Sequence, residues 1–296
     1  MKFGVCVPNY GTTASTEAIS SVAVEAEALG YDSVWTTDHV LMPRNSGTPY
    51  ERIFDCLATL AYLAPQTKKV KLGVSSIIIA MRNPVVAAKQ LASIDAFSAG
   101  RLILAIGVGW NETEFSFVGS DFHDRGKRVN ESIRLIRSLW RGEKNFESRW
   151  LPQKFEDAVF DPRPASKELE IWIGGTSEAA MKRASNLGDA WHPNVSPLDD
   201  FTGLVAQFRE SSPKAKSDKI CVRIGLDVRA EKAEYLGAQG EKRIRLTGNM
   251  GENAKIIAEL EGLGVSYAVI VPSPEGHTEL QGQVESIRAF ANKFVS

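Results

Sequence analysis

Cysteine is scarce in this sequence. Cys6, Cys56 and Cys221 are far apart and odd in number. That argues against a disulfide framework or a zinc knuckle and makes a reducing cytoplasm the expected setting. Histidine is scarce too. His39, His123, His192 and His277 show no metal-ligand spacing, so no metal site is expected. Neither sign of charge dominates: 35 basic and 36 acidic residues leave a net charge of -1. Nucleic acid and anionic membrane surfaces are therefore not expected partners. No apolar run approaches the roughly 20 residues that span a bilayer. Residues 1–8 lack the basic start, apolar run and cleavage site of a signal peptide. There is no G-x-S-x-G elbow and no reactive-cysteine signature. Val7-Pro8-Asn9-Tyr10-Gly11, after the first apolar run, is not a G-x-G-x-x-G fingerprint, which argues against a dinucleotide-binding sheet.

What is present is a repeat of short apolar runs followed by amphipathic stretches. Hydrophobic residues make up 43% and charged residues 24%, a balance that supports a folded core. Strands are predicted at 3–7, 33–37, 70–79, 102–108, 170–173, 190–191, 220–228 and 267–271. The run 70–79 is apolar on both faces, as a parallel strand covered on both sides must be. Helices are predicted at 16–29, 56–64, 84–97, 177–187, 198–209, 249–263 and 279–294. A further helix, capped by Asp124, carries Val129, Ile133, Ile136 and Trp140 on one stripe. Asn83 and Pro84 open the helix at 84, and Gly100 closes it.

Eight strands alternating with helices imply a parallel sheet with right-handed crossovers. At this length the expected fold is α/β, a (β/α)8 TIM barrel formed as one domain over 1–296. An open doubly wound sheet is the alternative. Two stretches exceed ordinary loop length. Residues 143–167 are polar, with Pro152, Pro162 and Pro164, and follow a helix, so they are expected at or across the face opposite the site. Residues 229–248 carry Arg229, Lys232, Lys242, Arg243 and Arg245. They follow a strand, which places them on the catalytic rim as a natural lid or ligand-contact loop.

Polar residues at strand C-termini are the first candidates for chemistry in a barrel. Asp38-His39 ends the second strand; an acid beside a histidine suits proton exchange near neutral pH, or is a turn cap with a bonded imidazole. Ser75 and Ser76 interrupt the apolar third strand, either to admit a flat ligand or as a bulge bonded to nearby carbonyls. Gly107 and Gly109 permit close backbone approach to a ligand, or simply tight packing. Asn111, Glu112 and Glu114 follow and supply amide and carboxylate groups on the next loop, or the two glutamates are only surface charge. Gly174-Gly175-Thr176-Ser177 opens a helix and forms either an anion nest or a capped glycine turn. His192 faces the pocket or lies in a loop, while His123 and His277 read as loop residues. Arg125-Gly126-Lys127-Arg128 is basic at a helix start, either a ligand contact or a solvated face.

Together these segments resemble the luciferase-like flavin and deazaflavin oxidoreductases. The resemblance covers nearly the whole chain and rests on Gly30-Tyr31-Asp32-Ser33-Val34-Trp35, Asp38-His39, the stretch from Leu72-Gly73 to Arg82-Asn83-Pro84, and Ser98-Ala99-Gly100-Arg101-Leu102. It continues in the run from Gly107 to Phe115, in Arg125-Gly126 with Leu139-Trp140, and in Ile171-Trp172-Ile173-Gly174-Gly175. The Gly-Trp-x-x-x-Glu-Phe run followed by Arg-Gly is most similar to the branch that uses coenzyme F420. The resemblance implies a cofactor ring over the barrel mouth. It places Ser75-Ser76 at a strand-three bulge that often carries a cis peptide in relatives. It places Asp38 and His39 beside the reactive edge, Asn111 on the cofactor, and Gly174, Gly175 and Thr176 at the phosphate turn.

Ser75, Ser76, Gly107, Gly109, Asn111, Gly174, Gly175, Thr176 and His192 are thus the cofactor-binding candidates, and Asp38 and His39 the acid/base candidates. The implied reaction is hydride transfer between F420 and a small organic substrate. The alternatives are an FMNH2-dependent monooxygenase and a non-catalytic cofactor-binding barrel. The basic stretch after strand seven favours the longer acidic tail of F420. A homodimer is implied, with Leu57, Leu60, Leu91 and Ile94 on helices that serve core, interface or both. The sequence departs from the family pattern mainly after residue 228, where substrate loops vary.

Overall fold

A computed structural model describes residues 1–44, 46–166, 169–211 and 218–295. Lys167, where the predicted polar stretch ends, lies outside the described residues. The elements run β1 (Lys2–Cys6), α1 (Thr16–Ala28), β2 (Ser33–Thr36), α2 (Cys56–Leu63), β3 (Lys71–Ile78), α3 (Pro84–Phe97), β4 (Leu102–Gly107), α4 (Glu112–Phe117) and α5 (Arg125–Arg141). They continue with β5 (Ile171–Gly174), α6 (Glu178–Leu187), β6 (Ala190–His192), α7 (Leu198–Glu210), β7 (Ile220–Leu226), β8 (Glu234–Leu236), β9 (Lys242–Leu246), α8 (Met250–Gly262), β10 (Val265–Val271) and α9 (Leu280–Phe294).

Strands β1 to β7 pair in parallel with their sequence neighbours. β10 pairs in parallel with both β7 and β1, which closes the ring. This closure makes the fold a TIM barrel and excludes the open doubly wound sheet. Among the described residues, no helix is long and apolar enough to cross a membrane.

The barrel interior is aromatic. Trp35 on β2 and Trp172 on β5 lie with ring centroids 4.9 Å apart, and Tyr267 on β10 meets Trp172 edge-on at 5.1 Å. Both indoles are fully buried. Room for Trp35 comes from glycine: a Cβ on Gly73 would lie 2.2 Å from its ring, and one on Gly4 2.5 Å from Nε1. Backbone without side chain on β1 and β3 is what lets a large ring fill the axis. A larger aliphatic layer packs the outer strand faces against the helices.

The helix punctuation works as polar side chains at helix ends should. The Asn83 side chain accepts from the Val85 and Val86 N–H groups, with Pro84 at the first helical position. Asp124 differs: it stands at the start of α5 without making a cap bond. Two further departures bear on the site. A short helix, α4, follows Asn111, whose side chain accepts from the Glu114 N–H at 3.1 Å. The basic stretch 229–248 holds a hairpin, β8 against β9, rather than a loop. β9 also adds to the upper end of β7 through Gly225 and Leu226.

The polar stretch 143–167 does not stay on the far face. Lys127, in the first turn of α5, lies over the Trp150 ring at 4.0 Å, and neighbouring Arg125 donates to the Gly109 carbonyl at the barrel mouth. The segment therefore climbs back along α5 toward the catalytic side.

Candidate active site

A pocket opens at the C-terminal ends of the strands. β2 leads into Thr37, Asp38 and His39, and β3 contributes Ser75, Ser76 and Ile78. β4 leads into Gly107, Val108, Gly109 and Trp110, and β5 into Gly174 and Gly175. His192, Asn194 and Arg223 come from the β6–β7 side, and Tyr50, Gln239 and Arg243 complete the wall. Of the predicted site residues, only Asn111 and Thr176 are not in this wall. The Asn111 side chain caps α4, and exposed Thr176 precedes Ser177, which caps α6.

The Ser75–Ser76 peptide bond is cis, and the register with β4 shifts between Val74 and Ile77. Gly107 and Gly174 flank Ser76. A Cβ on Gly107 would lie 3.3 Å from the Ser76 Cβ, and one on Gly174 2.9 Å from its hydroxyl. Glycine at both positions leaves a surface of bare backbone beside Ser76, the kind of floor a flat ring needs.

Ser75 is held from the side. Its hydroxyl lies 2.8 Å from His192 Nε2, and His192 Nδ1 lies 2.7 Å from the Cys221 carbonyl oxygen. A carbonyl only accepts, so Nδ1 carries the hydrogen and Nε2 accepts from Ser75. Burial pushes the His192 pKa down to about 3, so the ring is neutral at physiological pH. The linkage follows from that direction. In the unfolded chain a histidine titrates near 6.5. Between the two values the unfolded chain holds the extra proton, so this contribution to stability is intact above about pH 6.5 and is lost as pH falls toward 3. Between pH 7 and pH 4.5 wild type is expected to lose about 2.5 kcal/mol more stability in urea melts than His192→Gln. Equal losses in the two proteins would remove His192 from the acid response.

His39 and Asp38 are neighbours with different employment. Asp38 accepts from the Ile78 N–H at 2.8 Å and from Arg82 at 2.6 Å. Arg82 reaches Asp55 at 3.1 Å and the Cys56 sulfur at 3.7 Å. Asp38, Asp55 and Cys56 gather three potential metal ligands, but the guanidinium already supplies the positive charge among them. His39 Nδ1 instead meets Glu114 Oε2 at 2.7 Å, and Glu114 Oε1 accepts from the Val40 N–H at 2.6 Å. The His39 ring stacks on Tyr50, with centroids 4.4 Å apart. Its Nε2 has no protein partner among the described residues and is not sealed from the pocket.

Glu114 is not the surface charge its sequence context suggested. It is 1% exposed, because the short α4 turns it inward. Glu112, two residues before, is exposed as expected, near His123 at 3.5 Å. The basic stretch after β7 is also less free than its composition implies. Arg245 pairs with Glu275 at 2.7 Å, Arg229 with Glu285 at 2.5 Å, and Arg243 with Glu241. Much of the charge that would favour an acidic cofactor tail is answered locally.

Known proteins resemble this chain along most of its length. The family model for luciferase-like monooxygenase matches residues 1–236. An F420-dependent glucose-6-phosphate dehydrogenase of Amycolatopsis mediterranei is 34% identical over 176 residues, 57% of this chain and 50% of that protein. An FMNH2-dependent dimethylsulfone monooxygenase of Pseudomonas putida is 32% identical over 169 residues, 56% of this chain and 45% of that protein. These matches span about half the length of the relatives. An F420-dependent secondary alcohol dehydrogenase, solved with an F420–acetone adduct, superposes with a TM-score of 0.77 at 19% identity, over 97% of this chain and 98% of that one, and shares the fold. With the closed barrel and the family match over residues 1–236, the chain belongs to the luciferase-like monooxygenase family, which has F420-dependent and FMNH2-dependent members.

Proposed function

We propose that this protein is an oxidoreductase that binds coenzyme F420 in the barrel mouth and exchanges hydride with a small organic substrate. The observation that carries this reading is the His39–Glu114 pair, with Nε2 of His39 left open to the pocket. In an alcohol–ketone interconversion the substrate oxygen gains or loses a proton at each turnover, and this pair is built to carry one. Bound F420 supplies the carbon that accepts or gives the hydride.

The residues fit such a group. The bare backbone at Gly107 and Gly174, with Ser75 and Ser76, offers a floor for a flat ring. Gly175 and the start of α6 would face its phosphate. Glu114 holds His39 in one orientation through Nδ1, so Nε2 is the atom that takes the substrate proton or returns it. Asp38 anchors the end of β3 through Ile78 and Arg82 rather than exchanging protons. His192 uses both ring nitrogens and positions Ser75.

The names of the relatives divide between F420 and FMNH2 chemistry, so cofactor choice is the deciding measurement. Fluorescence titration of the purified protein should give micromolar binding of F420 and much weaker binding of FMN. Tight binding of FMN alone would move the reading to oxygen-dependent chemistry. Binding of neither would leave only the family and the fold.

A further inference from the structure

The barrel mouth holds a positive charge that hydride chemistry leaves unused. Arg223 interrupts β7 between Val222 and Ile224, both buried. Its guanidinium donates to the Ser75 carbonyl and, at 3.0 Å, to the Thr37 hydroxyl. Both partners are neutral. Among the described residues no carboxylate lies at salt-bridge distance from Arg223. The titratable groups around it are Cys6, Tyr10, Tyr50 and Tyr235. Burial pushes the Cys6 thiol and the Tyr10 and Tyr235 phenols upward, so these three give no counter-charge. Neutral His192 gives none either.

Arg82 shows what the same fold does with an arginine of structural purpose: two carboxylates, Asp38 and Asp55, surround it. Taking a guanidinium from water without a counter-ion is costly. Bracing β7 against β3 needs only a neutral donor. A full charge that faces the pocket is matched by something that enters the pocket. A second donor converges on the same space. Arg243, carried by the hairpin and paired with Glu241 through its terminal nitrogen, lines the pocket and keeps a buried Nε without an acceptor.

We propose that Arg223, helped by Arg243, forms an oxyanion subsite in the barrel mouth, and that the substrate is an organic acid whose carboxylate is held there. The substrate's hydroxyl or carbonyl is then the group that meets His39. That second half rests on the hydride-transfer reading; the anion subsite does not. Planar guanidinium donors suit a carboxylate, which takes two parallel hydrogen bonds. A cofactor oxyanion would offer the same chemistry, and the experiment separates the two sources.

The test is calorimetric titration of the full chain with benzoate and with neutral benzamide, first alone and then with F420 or FMN at saturation. Wild type should bind benzoate about tenfold or more tightly than benzamide. Arg223→Met should abolish that preference, Arg223→Lys should keep part of it, and Arg243→Gln should weaken it. Benzoate should still bind when the cofactor is present. Equal binding of the two probes by wild type overturns the subsite without need of any variant. So does a preference that survives Arg223→Met, or displacement of benzoate by the cofactor. F420 binding without a carboxylate preference sinks this proposal and spares the hydride reading. A carboxylate preference without cofactor binding does the reverse.

Discussion

An alanine at position 39 is expected to lower kcat by about 10²–10⁴-fold while leaving cofactor affinity essentially unchanged. The ring of His39 is held by Glu114, the stacked Tyr50 and the edge-on Trp110, none of which belongs to the proposed ring floor. Glu114→Gln should reproduce a large part of that loss. An amide places its NH2 or its oxygen against Nδ1, but it cannot accept from both Nδ1–H and the Val40 N–H as the carboxylate does. The tautomer of His39 is then no longer fixed. The double variant should be little worse than His39→Ala alone, because two residues acting as one unit do not lose activity independently. Single-turnover reduction of bound cofactor, with cofactor affinity measured on the same samples, reads all three. Full turnover in His39→Ala, or losses that multiply in the double variant, would remove the pair from the chemistry.

Asp38→Ala should act on stability instead, by about 3–5 kcal/mol. The change leaves Arg82, whose side chain is 15% exposed, with the half-exposed Asp55 as its remaining carboxylate partner. It also orphans the Ile78 N–H at the end of β3. Removing the partner together with Asp38, as Asp38→Ala with Arg82→Met, should recover a good part of the loss. Urea unfolding of the two variants makes the comparison. A stable Asp38→Ala protein without turnover would assign Asp38 to proton transfer and overturn its reading as an anchor.

Much of this architecture was legible because it repeats. Short apolar runs and capped amphipathic stretches announced eight strands, and Asn83-Pro84 and Gly100 marked the bounds of α3. The mouth was legible as well, because barrel geometry sends every strand's C-terminal end to one rim. What stayed hidden depends on contacts between distant residues. Glu114 lies 75 positions from His39, and nothing local separates it from exposed Glu112. α4 is too short for a periodic signal. Two features did leave a trace. Arg243-Ile244-Arg245-Leu246 alternates polar and apolar after the Gly237–Gly240 turn, as a half-buried strand does. A lone arginine in Ile220-Cys221-Val222-Arg223-Ile224 is conspicuous in a strand buried on both faces.

The hairpin is grafted onto a ring already complete without it. β7 pairs with β10 over most of its length, and β9 pairs with its last two residues. One arginine of the mouth therefore belongs to the scaffold, and the other rides on an accessory that can be lengthened, shortened or exchanged without opening the barrel. Selection, or a protein engineer, can redraw the entrance of this barrel while the His39–Glu114 side stays as built. The shape of the entrance is the trait this architecture lets drift most freely.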